Sequence, residues 1–450
     1  MLYFVICTSV FFAENIKAQS EHGLIQDQNF ELIDDQDQNI DYYGSNNQEA
    51  LFSVQSYTFF GKANGVPSDA AIANDVKTKV KYILGYMRRN PGNTAAIYPS
   101  YTVSTVKIES TADNKYKVTY KINAKGVFNT GTVDYTFLIP ISHSTVYQRS
   151  QGLCTSADAE KVSADTFWYH WSPTLAGCPL VENTDYIKYY TTITPIKNTV
   201  TTYPEYNRLF QNGTMNVSTF FGVANYDEQN WNPYTTSDLT GRDFIHQREL
   251  LINTYKMSSR VWSESEVRQY YNPGSERPLP YIEEFSKLTS KGKINFRLFF
   301  GNTGLDHDSS AFHVFLKIAL STHQVILYNG HSGLGKNLNI PSIETTRGVA
   351  LSFNQNYQLF YFGSCVPYSY YTDMYFKRKA NVNDPKGTKN LDIITFGDES
   401  YFSNHYDDRI IQALFFYADK NIKQTYQAII GNDTRFHFGI NGDEDNPTLP

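Results

Sequence analysis

From about residue 215 onward the chain alternates short, almost wholly apolar runs with longer stretches that carry an apolar stripe. Runs at 217–221, 294–300, 324–328, 358–362 and 392–396 predict strands, and stretches near 241–259, 309–321 and 406–422 predict helices. Short apolar strands spaced by helices imply a mostly parallel sheet covered on both faces. In such a sheet, sites gather beyond the carboxyl ends of the strands. The region 51–185 has a different rhythm. A strand at 56–61 precedes a helix over 68–89, whose Ala71, Val76, Val80, Ile83, Leu84 and Met87 form an apolar stripe. Period-two runs at 102–109, 115–123 and 132–138 then predict a meander, separated by Asp-Asn and Asn-Thr-Gly turn signals. The expected organisation is an α+β N-terminal domain (51–185), a linker (186–214) and an α/β domain (215–450).

The chain's start changes the picture of where the protein works. Met1 to Phe12 is apolar and is followed by Ala13-Glu14-Asn15-Ile16-Lys17-Ala18, which reads as a signal peptide over 1–18. Residues 19–50 are polar and acidic and read as a flexible leader. No other segment is long and apolar enough to span a bilayer, so the expectation is a secreted or periplasmic protein with no membrane span. With 45 acidic against 39 basic side chains, the chain is a poor partner for nucleic acid. Thirty-five tyrosines favour β-rich packing and an aromatic-lined surface. No cofactor or metal site is expected. Asp306-His307-Asp308 are adjacent in an extended loop and cannot all face one ion, and the acidic run from Asn441 to Asn446 reads as a hydrated tail. Thr58-Phe59-Phe60-Gly61-Lys62-Ala63-Asn64 recurs in part at Thr219 to Asn225 and marks either a duplicated unit or chance.

Four cysteines narrow the chemistry. Cys7 would leave with the signal peptide, and Cys154 and Cys178 bracket an aromatic loop as an expected disulfide, which leaves Cys365 as a free thiol. Cys365 ends the apolar run Leu359-Phe360-Tyr361-Phe362-Gly363-Ser364, just as His331 ends Val325-Ile326-Leu327-Tyr328-Asn329-Gly330. Two parallel strands that each deliver one reactive side chain bring a base and a thiol together.

These two motifs resemble the caspase, legumain and gingipain group of cysteine peptidases. The resemblance covers about 215–430 and implies a caspase-like, mostly parallel sheet with flanking helices. It also implies a cysteine endopeptidase with a peptide or protein substrate, in which His331 is the base and Cys365 the nucleophile. Backbone N–H groups of Cys365 and around Gly333 would form the oxyanion hole. One departure stands out, because Ser332 occupies the position after the histidine where the family has glycine. Asp306 and Asp308 follow the strand at 294–300 and are candidates for a substrate pocket that takes a cationic side chain. Three rivals remain. A non-catalytic binding protein could keep the fold with an occluded site. Gly330-His331-Ser332-Gly333-Leu334 approaches a serine hydrolase elbow with Ser332 as nucleophile, served by Asp392 or Asp398 and then His405. Gly330 to Asn337 nearly writes a phosphate loop, although Asn337 lacks the hydroxyl and Pro341 is expected to break the following helix.

Overall fold

The computed structural model describes residues 42–448 apart from 45, 91–94, 156–161, 197, 199, 226–230, 273, 275–277, 308–309, 401, 403–404 and 432–436. The expected signal peptide, most of the leader and Cys7 lie outside the described residues. The chain forms two compact units, one over Asn46–Lys197 and one over Asn198–Pro450 joined by residues 42–44. The strand β1 (Tyr42–Tyr43) opens the second unit and is treated with it.

The first unit is α+β, as expected. Its strands are β2 (Asn47–Gly61), β3 (Ala96–Ser110), β4 (Lys115–Asn129), β5 (Asp134–Pro140), β6 (Tyr186–Thr192) and β7 (Thr194–Pro195). Its helices are α1 (Asp69–Arg89), α2 (His143–Ser150) and α3 (Phe167–His170). The strands do not make one meander. β3, β4, β2 and β7 form one antiparallel sheet in that order, while β5 leaves it to pair with β6. The expected linker therefore begins as a strand, and the expected leader ends as the first turn-proximal residues of β2. Ser68 caps α1 by accepting a hydrogen bond from the Ala71 N–H at 3.3 Å, and Ile72, Val76, Val80, Ile83, Leu84 and Met87 are buried. Ala71 is exposed, because the buried stripe runs one residue later. Cys154 and Cys178 form a disulfide, as expected.

The second unit runs through α4 (Tyr206–Leu209), β8 (Thr214–Gly222), α5 (Leu239–Glu249), β9 (Ser258–Val261), α6 (Glu264–Tyr270), β10 (Tyr281–Thr289) and β11 (Gly292–Gly301). Then come α7 (Ala311–Thr322), β12 (Val325–Asn329), α8 (Ile340–Arg347), β13 (Gln358–Gly363), α9 (Pro367–Tyr370) and α10 (Thr372–Lys379). The last elements are β14 (Leu391–Phe396), α11 (Asp407–Lys420), α12 (Tyr426–Ile430) and β15 (Phe438–Asn441). Nine strands form one mixed sheet in the order β1-β15-β14-β13-β12-β8-β11-β10-β9. The five central strands, β11 to β14 through β8, are parallel, and the outer ones are antiparallel. All five expected strands are present. β12, β13 and β14 are wholly or almost wholly buried because both faces are covered, which is why they read as apolar runs, whereas β11 alternates half-buried Asn295 and Arg297 with buried Ile294, Phe296 and Leu298. The expected helix over 241–259 ends early, and its last residues enter β9. Pro341 sits in the first turn of α8 rather than breaking it, since that turn needs no N–H there.

Two further expectations are corrected. The run from Asn441 to Asn446 is not a hydrated tail: Asn441, Asp443 and Asn446 are buried, Asn441 accepts from the Tyr43 hydroxyl, and Asn446 donates to Asp392. The repeated heptapeptide marks no shared role. It ends an antiparallel strand at Gly61, with open space around the glycine, and a parallel strand at Gly222, where an added Cβ would lie 2.3 Å from Thr303 Oγ1.

Two outcomes follow from this packing. A methyl group on Gly85 of α1 would sit 1.9 Å from the Trp168 carbonyl oxygen. Gly85→Ala should therefore destabilise the first unit by about 1–3 kcal/mol through overpacking, outweighing a helix-propensity gain of about 1 kcal/mol; thermal denaturation reads it. In the second unit Asp392 is buried beneath Tyr357, Tyr426 and Asn446, all of which donate to its Oδ2. Burial nonetheless pushes its carboxyl up to about 8. The unfolded carboxyl ionises near ~4, so the native state holds the extra proton between about 4 and 8 and stability should fall as pH rises through that window. Asp392→Asn should flatten this slope in denaturant melts taken across the range; an unchanged slope would assign the proton elsewhere.

Candidate active site

After β8 the chain builds β9 to β11 on one side and then returns to lay β12 on the other side of β8. The crevice beyond the carboxyl ends of β8 and β12 is therefore a topological switch point, where α/β sheets open a site. β12 pairs with β8 and with β13, and Asn329 stands opposite Gly363. His331 and Cys365 each follow two residues later, so neighbouring parallel strands carry them to the same edge. Gly330 N–H donates to the Gly363 carbonyl at 3.2 Å and ties the two exits together.

The loop after His331 is held from beneath. Asn337 is buried, donates from Nδ2 to the His331 carbonyl at 2.9 Å and accepts from the Leu305 N–H at 3.1 Å. Tyr328 donates to the same His331 carbonyl at 2.7 Å, Tyr371 to the Ser332 carbonyl at 2.9 Å and Tyr375 to the Leu338 carbonyl at 3.0 Å. Glycine is required at 333, one position after Ser332. Its φ is +58°, and an added Cβ would lie 2.4 Å from Asn337 Oδ1. Tyr368, Tyr370, Tyr371 and Tyr375 are buried core residues, of which Tyr371 and Tyr375 hold this loop.

His331 is buried, and its Nε2 lies 2.7 Å from the Ala224 carbonyl, two residues beyond β8. A carbonyl only accepts, so Nε2 carries the proton and Nδ1 keeps the basic lone pair. Burial disfavours the imidazolium and lowers the His331 pKa, against smaller opposing effects of the Ala224 bond and Asp238. The ring is neutral at rest, which suits a general base. Phe402 packs edge-on against it, with centroids 5.4 Å apart.

Cys365 corrects an expectation. No described cysteine is free, and Cys365 is disulfide-bonded. It is 1% exposed, and its Sγ lies 3.9 Å from the Ser400 carbonyl oxygen. The next residue, Val366, adopts φ +54° and ψ +37°, and its N–H donates to the Asp398 carbonyl at 2.8 Å. A β-branched residue in the left-handed region costs about 1–3 kcal/mol and persists only where its surroundings impose it; such residues cluster at functional sites.

A pocket of about 470 Å³, counted with its open mouth, lies beside the two strand exits, and neither His331 nor Cys365 lines it. Gly330 and Gly363 form its floor, and Ser400 and Phe402, the neighbours of Cys365 and His331, wall it. Asp243, His246 and Gln247 enter from α5, and His405, Asp407 and Asp408 from the start of α11. His246 Nε2 lies 2.7 Å from Asp408 Oδ2, His405 Nδ1 lies 3.8 Å from Asp243 Oδ1, and the two imidazoles stack with centroids 3.8 Å apart. Asp407 accepts from Asn329 at 2.9 Å and Gln247 at 3.2 Å, and burial, aided by Asp408, pushes its carboxyl up to about 7. None of these six groups was singled out for the pocket from the sequence, because helices distant in the chain bring them together. The signal that was there is local: Tyr406-Asp407-Asp408 opens the last long amphipathic helix, where acids suit the N-terminal dipole.

Asp306 does not belong to this pocket. It is half exposed and pairs with Lys336 at 3.0 Å, and Asp308 lies outside the described residues. Ser332 is buried, and its side chain makes no hydrogen bond to a histidine among the described residues. Asp392 starts β14, at the end of the sheet away from the site. Asp398 instead pairs with His437 at 2.6 Å. Among the described residues no group of His, Cys, Asp and Glu is arranged to hold a metal ion, and no helix is long and apolar enough to cross a membrane. No family model, curated protein or solved structure matches the chain.

Proposed function

We propose that the second unit is a caspase-like cysteine endopeptidase, with His331 as base and Cys365 as nucleophile, held latent by the disulfide at Cys365. The observation that carries this reading is the delivery of His331 and Cys365 from adjacent parallel strands, with the imidazole oriented by the Ala224 carbonyl. That geometry performs the part of a triad's third member with a backbone atom: it fixes the tautomer and steadies the ring. The resemblance read from the Gly-His and Ser-Cys motifs draws support from the α/β sheet with flanking helices, whose five central strands are parallel although the sheet as a whole is mixed. A structural disulfide at Cys154 and Cys178 supports work in an oxidising compartment, outside the cytoplasm.

A dithiol reductant would first exchange with the Cys365 disulfide, leaving the Cys365 thiol and an oxidised dithiol. Nδ1 of His331 would then take the thiol proton as sulfur attacks the scissile carbonyl carbon of a peptide. The tetrahedral oxyanion collapses, the C–N bond breaks, and the leaving amine takes its proton from His331. Water, deprotonated by His331, hydrolyses the thioester and returns the thiol and a carboxylic acid product. The second reading, a non-catalytic extracytoplasmic binding protein, is favoured by the burial and bonding of Cys365.

Reduction separates the two. The reduced chain should cleave an unfolded protein substrate, and Cys365→Ser and His331→Ala should each lower turnover by roughly a thousandfold or more. Small electrophiles should label reduced Cys365 faster in the parent chain than in His331→Ala at neutral pH. Absence of cleavage, with Cys365 alkylating at equal rates in both chains, would leave the binding protein as the answer.

A further inference from the structure

We infer that Asp238 is a positioning residue for His331, acting through the peptide group between Ala224 and Asn225 as the acidic member of a relayed triad. The inference rests on the peptidase reading for its meaning in catalysis, but the hydrogen bonds carry it on their own. A peptide group has two ends, the carbonyl of one residue and the N–H of the next, and in the trans form they point opposite ways. The Ala224 carbonyl accepts from His331 Nε2 at 2.7 Å. At the far end of that same group the Asn225 N–H donates to Asp238 Oδ2 at 2.9 Å. A carboxylate, one peptide group and the imidazole thus stand in a row. The carboxylate draws the N–H proton, electron density moves onto the carbonyl oxygen, and that oxygen becomes a better partner for a protonated ring. A neutral carbonyl alone fixes the tautomer; a carboxylate behind it adds charge.

The surroundings of Asp238 hold it to this task. It is 4% exposed and caps the N-terminus of α5, where Oδ1 accepts from the Thr240 N–H at 2.9 Å. The Thr240 hydroxyl lies 2.7 Å from that Oδ1 and 2.8 Å from the Gly222 carbonyl, which ties the cap to the last residue of β8. The Asp238 N–H donates to Thr236 Oγ1 at 3.0 Å and the Val223 N–H to the Gly301 carbonyl at 3.0 Å, so the segment is fixed from both sides. Among the described residues no lysine or arginine pairs with Asp238, so its charge stays available to the peptide group. The positive end of α5 faces the carboxylate and favours that charge. His331 is buried against Phe402, so little water screens the relay. Asp238 is the charged group that acts on the ring, and it opposes the burial that lowers the His331 pKa. A base that must next serve as an acid needs both effects, a neutral ring at rest and a supported imidazolium after proton transfer.

Histidine-selective isotope labelling and NMR titration read the relay on the whole chain, with the His331 signal identified by its loss in His331→Gln. Neutral His331 in the parent chain should carry its proton on Nε2. A proton on Nδ1 would overturn the inference, whether or not any variant of Asp238 folds. Asp238→Asn keeps a helix cap of equal quality but removes the charge, and the His331 pKa should fall by about one pH unit. Thr240→Val takes a hydroxyl from the same cap and keeps the charge, and should leave that pKa where it is. Equal changes in the two variants, or none in Asp238→Asn, would make Asp238 a structural cap alone and overturn the inference. In the reduced chain Asp238→Asn should lower kcat about tenfold with KM unchanged. A chain that cleaves, but in which neither kcat nor the pKa responds, would remove the relay while the peptidase reading stood. A pKa that falls as expected in a chain that cleaves nothing would support the relay and remove the catalytic reading alone.

Discussion

Everything in the second unit hangs on the parallel pairing of β12 with β8 on one side and β13 on the other. Hydrogen bonds between Val325–Asn329 and both neighbours fix which residues leave the sheet together. A slip of one residue would turn every side chain to the opposite face and carry His331 away from Ala224. The strands resist that slip because both faces are buried: Leu327, Leu359 and Ile394 lie in one core on the α5 and α11 side. Packing energy spread over the sheet is thereby spent on the position of three atoms, the Ala224 carbonyl oxygen, the His331 ring and the Cys365 sulfur.

Below that row a second layer keeps the loop in shape. Asn337 and the tyrosines 328, 371 and 375 all aim their polar tips at main-chain carbonyls of residues 331–338. The abundance of tyrosine thus has a mechanical role here. Each ring fills the core and each hydroxyl pins the backbone, so the loop can hold left-handed conformations at Gly333 and Leu334 without regular secondary structure.

The central strands were readable in the chain because burial on both faces leaves a one-signal pattern, an unbroken apolar run such as Val325-Ile326-Leu327-Tyr328. The placement of His331 and Cys365 followed, since a strand's end is a local property. The charged pocket was not readable. Asp243 and Asp407 are 164 positions apart and meet only because two amphipathic helices pack on one face of the sheet; the nearer acids, Asp306 and Asp308, drew the expectation instead. The bonding of Cys365 was likewise beyond counting cysteines, because a count does not say which of them pair. The antiparallel edge strands escaped for a third reason: β9 and β15 are four residues each, too short to carry a period.

One edge of the main sheet is closed by two segments from opposite ends of the described chain. β1 at Tyr42–Tyr43 pairs with β15 at Phe438–Asn441, and the Tyr43 hydroxyl reaches Asn441 at 2.8 Å across 398 positions. The first unit is inserted between these partners, so a ribosome releases all of it before β15 is made. The inserted unit, whose strands pair only among themselves, is free to fold during synthesis. The sheet that carries His331 and Cys365 keeps an open edge until β15 emerges, and an open edge invites pairing with other chains. Until β15 arrives β14 is therefore an exposed sheet edge, and a helper that shields it would lower the chance of mispairing.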